Sequence, residues 1–197
     1  MNPNWLGEAA MTELISPEML RQNKLLHGNK KDKFGGSGHK QADRVFEFIK
    51  EIGARDMLDY GCGKCTLRKQ LKKMRAKVAI HEYDPAVKGR DARPVGPFDL
   101  VVSTDVMEHV EPEFVQNVLK DIYHFARRGV YLAIATRPAN KILPNGNNAH
   151  LIIEGADWWH KQIEKVGWTI LRMQDVRKGG TPDGPNHEVR FWLKPVK

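Results

Sequence analysis

A regular alternation of short apolar runs with amphipathic segments constrains the fold of this chain most strongly. The apolar runs predict strands at residues 57–60, 78–82, 98–103 and 130–135. The amphipathic segments predict helices at residues 66–74, 112–126 and 156–166. Strands that alternate with helices form a parallel sheet with helices on both faces. The last two apolar runs, 168–173 and 189–193, have no helix between them and predict an antiparallel pair. The expected class is therefore α/β, a doubly wound and mostly parallel sheet with an antiparallel C-terminal strand pair.

The region before the first strand predicts two more helices. In "SPEMLRQNKLLHG", Ser16 can cap a helix whose first residue is Pro17. A glycine-rich loop, "NKKDKFGGSGHK", follows it. The segment from about 41 to 52 has its apolar residues on one helical face, and Gly53 can end that helix. The chain therefore divides into an N-terminal helix and loop, residues 1–40, and a main domain, residues 41–197.

Composition indicates an ordinary globular protein. The chain has 197 residues, 41% hydrophobic and 28% charged, which suits a single domain. No apolar run reaches the roughly 20 residues that span a membrane, and the first residues lack the pattern of a secretion signal. Two cysteines are too few for a disulfide framework. These features predict a cytoplasmic protein that does not bind membranes.

The positive charge is unevenly distributed. The net charge is +8, and residues 64–77 carry seven basic side chains and no acidic one. A second basic run consists of Lys24, Lys30, Lys31, Lys33 and Lys40. Such runs are typical of a solvated helix face, but they also attract partners that carry phosphate. Nucleic acid is therefore a possible partner.

A glycine-containing turn follows the first strand and indicates a cofactor site. Asp59 lies near the end of that strand, and Gly61 and Gly63 allow positive φ and a close approach of backbone to ligand. Glu82 ends the next strand, 23 positions later, where a carboxylate can bind the hydroxyls of a ribose. This pattern predicts a nucleoside-bearing cofactor. A dinucleotide is disfavoured because Thr66 occupies the position of the third glycine in G-x-G-x-x-G.

The same turn contains the pair Cys62-x-x-Cys65, which raises the alternative of a redox or metal motif. Thioredoxin-type sites have an aromatic residue before the first cysteine, whereas this chain has Gly61. We therefore interpret both cysteines as small residues that pack within the turn and take no part in redox chemistry.

Three segments, "LDYGCGK", "EYDP" and "FDLVVSTDVMEHV", resemble the class I S-adenosylmethionine-dependent methyltransferases. The resemblance is to the small stand-alone enzymes of bacteria and their phages. It implies that the turn from Asp59 to Cys65 corresponds to the family's D-x-G-x-G-x-G, with Cys65 in place of the third glycine. It also implies that residues 1–40 could cover the substrate of a methyltransferase domain at 41–197.

The resemblance further implies a set of cofactor contacts. Glu82 takes the position of the ribose-binding acid, and Asp84-Pro85 would open the next helix. Asp91 matches the segment that contacts adenine. The remaining residues expected at the S-adenosylmethionine site are Asp59, Gly61, Gly63, Tyr83 and Thr104.

Acidic and histidine side chains after the strand at 98–103 are candidates for the chemistry. Asp105, Glu108 and His109 have the spacing i, i+3, i+4, which would place them on one side of a helical turn. His150 follows the neighbouring strand and could join them. This set could hold a divalent metal such as Mg²⁺ or Mn²⁺. The motif resembles that of ubiquinone-biosynthesis O-methyltransferases and small-RNA terminal 2′-O-methyltransferases, which use a divalent cation.

Two other interpretations of this set stay open. Asp105, His109 or His150 could act as a catalytic base without metal, or Glu108 and His109 could have only structural roles. Arg137 and Lys141, in the long connection after the strand at 130–135, could hold an anionic substrate or face water.

Three functions therefore follow from the sequence. The first is O-methylation of a small molecule or nucleotide. The second is methylation of RNA or DNA, which the basic segments favour. No N-P-P-[YF] motif follows the strand at 98–103, which disfavours the amino groups of DNA bases. The third is a cofactor-binding partner protein without transferase activity.

Overall fold

The computed structural model describes residues 13–29, 34–180 and 185–196. Five α-helices lie within these residues, in chain order α1 Pro17–Gly28, α2 Ala42–Ile52, α3 Thr66–Lys73, α4 Val115–Phe125 and α5 Ala156–Glu164. The strands are β1 Asp56–Tyr60, β2 Ala79–Tyr83, β3 Phe98–Thr104, β4 Ala126–Ala135, β5 Trp168–Arg177 and β6 Asn186–Pro195. The predicted basic residues Lys30, Lys31 and Lys33 lie outside the described residues, as does part of the predicted segment 1–40.

The strands form one sheet with the order β2-β1-β3-β4-β6-β5. β1 pairs in parallel with β2 and β3, and β3 pairs in parallel with β4. β6 is antiparallel to both of its neighbours, β4 and β5. The predicted fold class is confirmed, including the antiparallel C-terminal pair. The antiparallel strands are longer than predicted, since β5 continues to Arg177 and β6 begins at Asn186.

Alternation along the strands gives the sheet two buried faces. In β3, Leu100 and Val102 point to one face, whereas Val101 points to the other. The first face packs against α2 and α3, and the second packs against α4 and α5. Burial on both faces leaves the ends of the strands and the loops beyond them as the places where polar side chains can converge.

The connection from β2 to β3 contradicts one prediction. Residues 84–97 contain no helix, so the expectation that Asp84-Pro85 opens one was wrong. The Asp84 N–H donates to the Arg90 carbonyl at 2.9 Å, and Gly89 has φ +81°, so the chain turns back on itself. Two prolines within residues 94–97 also disfavour helix, because proline lacks the N–H that a helix needs.

The N-terminal helix α1 packs against the connection that follows β4. Ser16 caps α1 as predicted, with its side chain accepting a hydrogen bond from the Met19 N–H at 3.1 Å. Met19 and Leu26 form a small apolar cluster with Leu143 and Ala149 from the connection after β4. Among the described residues, no helix combines the length and the apolar character that crossing a membrane requires.

Candidate functional site

A large cavity of about 1490 Å³ lies beyond the carboxyl ends of the parallel strands. Its floor comes from the ends of β1, β2 and β3 and from the turns that follow them. Its cover comes from α1 and the loop after it, through His27, Phe34, Gly35 and Lys40. Ligand sites commonly measure about 300–1,000 Å³, so this cavity can hold two small molecules side by side.

The glycine turn after β1 packs closely against two other segments. A Cβ atom on Gly61 would lie 2.3 Å from Cγ2 of Val106, and one on Gly63 would lie 2.5 Å from the carbonyl oxygen of Gly35. Both glycines also have positive φ, +80° and +47°. The predicted Gly61 and Gly63 therefore line the cavity in a conformation that only glycine accepts without strain.

Two buried carboxylates face the cavity beside this turn. Asp84 accepts hydrogen bonds from the Gly63 N–H at 3.0 Å and from the Ala86 N–H at 2.9 Å. Asp59 is 3% exposed, and burial, together with the charges of Glu82 and Asp84, raises its pKa to about 8. Asp59 is therefore protonated near neutral pH. Tyr83 and Thr104, also predicted as cofactor contacts, line the same cavity.

Glu82 lies elsewhere, in a small basic pocket outside the cavity. Its Oε2 accepts a hydrogen bond from Arg68 at 2.7 Å and lies 3.2 Å from Nε of Arg90, and the side chain is 3% exposed. Asp91 is exposed, accepts a hydrogen bond from the Gly89 N–H and does not line the cavity either. Sequence reasoning missed Asp84, although an acid directly after a strand and before proline occupies the strand end that faces a crevice.

The two cysteines are unpaired and poorly reactive in this setting. Burial raises the pKa of both the Cys62 and the Cys65 thiols, which disfavours the thiolate that redox chemistry needs. Cys65 takes a left-handed conformation, with φ +55°. The position that resembles the family's third glycine thus has a backbone that favours glycine.

Asp105 does not lie on a helical turn with Glu108 and His109, so that prediction was wrong. β3 ends at Thr104, and Asp105 has φ +52°. Only Met107–His109 forms a short 3-10 helix. The reversal at Asp105 breaks the helical spacing on which the expectation rested. Asp105 lines the cavity but is not part of the group that Glu108 forms with the histidines.

Glu108, His109 and His150 do come together. One potential ligand atom from each lies within 4.8 Å of the others. Nδ1 of His109 lies 2.6 Å from the Ala149 carbonyl oxygen, and Nδ1 of His150 lies 2.6 Å from that of Arg137. A carbonyl can only accept, so each Nδ1 carries hydrogen and each Nε2 has the lone pair. Oε1 of Glu108 accepts from the Ala135 N–H at 3.1 Å, whereas Oε2 is buried with no hydrogen-bond partner.

Burial determines the charge of this group. It lowers the pKa of His109 to about 4, with a further contribution from His150, and it lowers the pKa of His150 as well. Burial and the charge of Asp105 raise the pKa of Glu108 well above its usual value. Both imidazoles are therefore neutral near pH 7, the state in which they can accept a proton or bind a metal ion.

A row of rings connects the cover to this group. The ring of His27 packs on Phe34 with centroids 4.9 Å apart, and Phe34 packs on His109 at 5.4 Å. His109 in turn meets His150 at 4.9 Å. His27 also places Nε2 3.8 Å from Oδ2 of Asp84. The N-terminal segment thus contacts Asp84 beside the glycine turn and also His109 in the group with Glu108 and His150.

Comparison with known proteins gives matches among solved structures. No family model matches the chain, and no curated protein does. The crystal structure of Burkholderia thailandensis 1,6-didemethyltoxoflavin-N1-methyltransferase with bound S-adenosylhomocysteine matches with a TM-score of 0.65 at 13% identity, covering 94% of this chain and 92% of that one. Magnesium protoporphyrin IX methyltransferase from Synechocystis PCC 6803 matches with a TM-score of 0.58 at 15% identity, covering 80% and 83%.

A third match is the small RNA methyltransferase HEN1, with a TM-score of 0.61 at 12% identity. It covers 80% of this chain but 25% of the other, so the present chain spans a quarter of that protein. Because the sequence identities are only 12–15%, the similarity to these structures is a similarity of fold. Together with the sheet order and the glycine turn, it shows that the chain has the fold of the class I S-adenosylmethionine-dependent methyltransferases.

Proposed function

We propose that this chain transfers the methyl group of S-adenosylmethionine to an oxygen atom of a small molecule or nucleotide. The observation that carries the proposal is the layout of one cavity. A glycine turn with a buried carboxylate lies at one end, and a pair of neutral histidines lies at the other. The cavity is large enough for a cofactor and an acceptor together.

The cofactor end is assigned to the glycine turn and the acids around it. Gly61 and Gly63 allow the backbone to approach the ligand, with Asp59, Tyr83 and Thr104 around them. Asp84, rather than the predicted Glu82, is proposed as the acceptor for the ribose hydroxyls, because Asp84 faces the cavity while Glu82 pairs with two arginines. Asp91 is left out of the site.

At the acceptor end, His109 and His150 are proposed to receive the proton that the acceptor hydroxyl loses. Their Nε2 atoms have the lone pairs, because each Nδ1 is bound to a carbonyl. The sulfonium methyl is already activated, so alignment and proton removal are what the protein must supply. Asp105, which lines the cavity beside them, can hold the acceptor in position.

The resemblance to metal-dependent members implies a divalent cation at this end, and the residues fit one. Glu108 has an unpartnered buried oxygen, and the Nε2 atoms of His109 and His150 complete a set of three donors. Two imidazoles and one carboxylate suit Mn²⁺, Co²⁺ or Zn²⁺ better than Mg²⁺. When bound, such a cation would lower the pKa of the acceptor hydroxyl. Asp105 is not included among the ligands.

Calorimetry with S-adenosylhomocysteine tests the cofactor assignment. Asp84→Asn and Glu82→Gln each replace one carboxylate by a neutral amide. Asp84 lines the cavity, whereas Glu82 lies outside it. We expect the first variant to bind more than tenfold more weakly, which corresponds to about 1.4 kcal/mol or more, and the second to bind within threefold of wild type. If Glu82→Gln weakened binding more than Asp84→Asn did, Glu82 would be the residue that binds the ribose. Melting temperatures of both variants check that folding is retained.

Transfer of labelled methyl from the cofactor into cell extracts tests the reaction. Label in a small-molecule fraction would support the first candidate, and the carbon chemical shift of the transferred methyl group in the isolated product would show whether that group is bound to oxygen. Label in RNA or DNA would favour the second candidate, for which the basic residues Lys69, Lys72 and Lys73 on α3 are the supporting observation. Cofactor binding without transfer to any fraction would support a non-catalytic partner protein. Transfer that survives exhaustive chelation would exclude the metal and leave the histidines as bases.

A further inference from the structure

The acceptor end of the cavity has an excess of positive charge. Among the described lining residues, Arg137 and Lys178 contribute cations there. Asp105 is the acid that lines this end, since Asp59 and Asp84 lie at the glycine turn. The remaining acids of the lining are held by other groups: Glu111 accepts from the Ser16 N–H, and Asp121 binds Arg93 and Tyr60.

Arg137 is fixed at the edge of the histidine pair. Its carbonyl oxygen accepts from Nδ1 of His150 at 2.6 Å, so its backbone is tied directly to the proposed base. Its Nε donates to Nδ1 of His187 at 3.0 Å. His187 is neutral in this role, so the bond does not neutralise the guanidinium. Within the described part of the chain, no carboxylate lies within 4.0 Å of Arg137.

His187 and Lys178 continue the same wall. Because Nδ1 of His187 accepts from Arg137, its hydrogen lies on Nε2, which is then a donor. Lys178 is exposed and has no ion-pair partner among the residues described. The nearest acid in sequence, Glu188, is bound to Arg190 and to Gln41. The side chains of Arg137, His187 and Lys178 therefore offer donors and positive charge to a ligand in the cavity.

We infer that the acceptor molecule carries an anionic group, a phosphate or a carboxylate, which Arg137, Lys178 and His187 hold beside His150. A guanidinium forms paired hydrogen bonds with the oxygens of either anion, and lysine adds a point charge. Because Arg137 is anchored to His150 through its own carbonyl, an anion on its side chain would place the rest of the acceptor next to the base. This inference rests on the proposed function and narrows its substrate class.

A titration with three probes tests it. Phenyl phosphate, benzoate and benzyl alcohol share a ring and differ in charge, and they are added to ¹⁵N-labelled protein saturated with S-adenosylhomocysteine. We expect saturable shifts of amide signals at residues 136–138, 178 and 187 with one or both anions, and none with the alcohol. The anion that binds more tightly identifies the acceptor group as phosphate or carboxylate. Equal binding of all three probes would overturn the inference.

Two variants and a control locate the site. Arg137→Gln is expected to weaken anion binding at least tenfold, and Lys178→Gln, on an exposed side chain, at least threefold. Lys73→Gln removes the same charge from the basic segment 64–77, outside the cavity, and should leave anion binding within twofold. Wild-type affinity in both cavity variants, or shifts concentrated in residues 64–77, would overturn the inference.

The outcome is separable from that of the proposed function. Arg137→Gln and Lys178→Gln should both keep their affinity for S-adenosylhomocysteine, because neither residue lies at the glycine turn. The anion titration is also run without S-adenosylhomocysteine. If wild-type protein fails to bind the cofactor product but binds the anions at Arg137, the methyltransferase proposal fails while the anion site stands.

Discussion

Replacing Gly63 by alanine tests how the glycine turn is built. The added methyl group would lie 2.5 Å from the Gly35 carbonyl oxygen, which is a backbone atom and cannot swing away. That carbonyl also accepts a hydrogen bond from the Lys64 N–H at 2.8 Å, so displacing it breaks a contact between the turn and the loop that covers the cavity. In addition, φ of +47° is unfavourable for any residue with a Cβ atom.

The two effects can be estimated separately. The left-handed conformation costs a residue with a Cβ atom roughly 1–2 kcal/mol, and overpacking costs typically about 1–3 kcal/mol. We expect Gly63→Ala to lower the free energy of unfolding in urea by about 2–5 kcal/mol and to weaken S-adenosylhomocysteine binding more than tenfold. Domains of this size have about 5–15 kcal/mol of stability, so the variant should still fold.

Gly89→Ala is the matched control. Gly89 also has positive φ, +81°, but a Cβ atom there would meet nothing within 4 Å. It should show the conformational cost alone, about 1–2 kcal/mol, with unchanged cofactor affinity. The difference between the two variants therefore measures the contact with Gly35. If both variants lose the same stability and both keep their affinity, close packing of the covering loop on the turn is not what requires glycine at position 63.

Two further variants address the same region. Because Cys65 has φ +55°, Cys65→Gly should be more stable than Cys65→Ala by about 1 kcal/mol in urea denaturation, and equal stabilities would argue against a left-handed residue there. The Tyr60 hydroxyl donates to Asp121 at 2.8 Å within the core, so Tyr60→Phe should cost about 1 kcal/mol by the same measurement. A loss of stability well above about 1 kcal/mol would mean that the hydrogen bonds from Arg93 are not sufficient for the buried Asp121 carboxylate once the Tyr60 hydroxyl is gone.

The overall fold was predictable because periodicity is a local property. Strands with apolar residues on both faces, alternating with helices that have one apolar face, predict a sheet covered by helices on both sides. The same reasoning found Gly61 and Gly63, since a glycine turn after a strand is a short sequence feature. It also placed His109 and His150 at neighbouring strand ends, and the structure brings their rings together.

The failures have two physical causes, the conformation of a single residue at a strand end and contacts with distant parts of the chain. Spacing alone suggested a helical turn for Asp105, but one positive φ angle breaks that spacing. Glu82 and Asp84 are both acids near the end of β2. Which of them faces the cavity depends on where the strand ends and on Arg68 and Arg90, which come from other parts of the chain. The contribution of Gly35 to the turn is likewise long-range and leaves no local pattern.

Asp59 leads to a last prediction, which concerns protons released when the cofactor binds. Burial and the charges of Glu82 and Asp84 raise its pKa to about 8, so at pH 7 the free protein holds its carboxyl mostly protonated. S-adenosylmethionine has a sulfonium and an ammonium group, and positive charge in this cavity favours the carboxylate. Binding should therefore lower the pKa of Asp59 and release up to about one proton at pH 7.

The sign of the pH dependence follows from this linkage. The deprotonated protein binds the cation more tightly, so affinity should rise with pH up to about 8 and level off above that value. Calorimetry at pH 7 in phosphate and in Tris, whose ionisation enthalpies differ, counts the released protons. Asp59→Asn is the control, because it removes the titrating group while keeping similar size, and it should show the same binding enthalpy in both buffers. Equal enthalpies for the wild-type protein would show that Asp59 does not change its protonation when the cofactor binds.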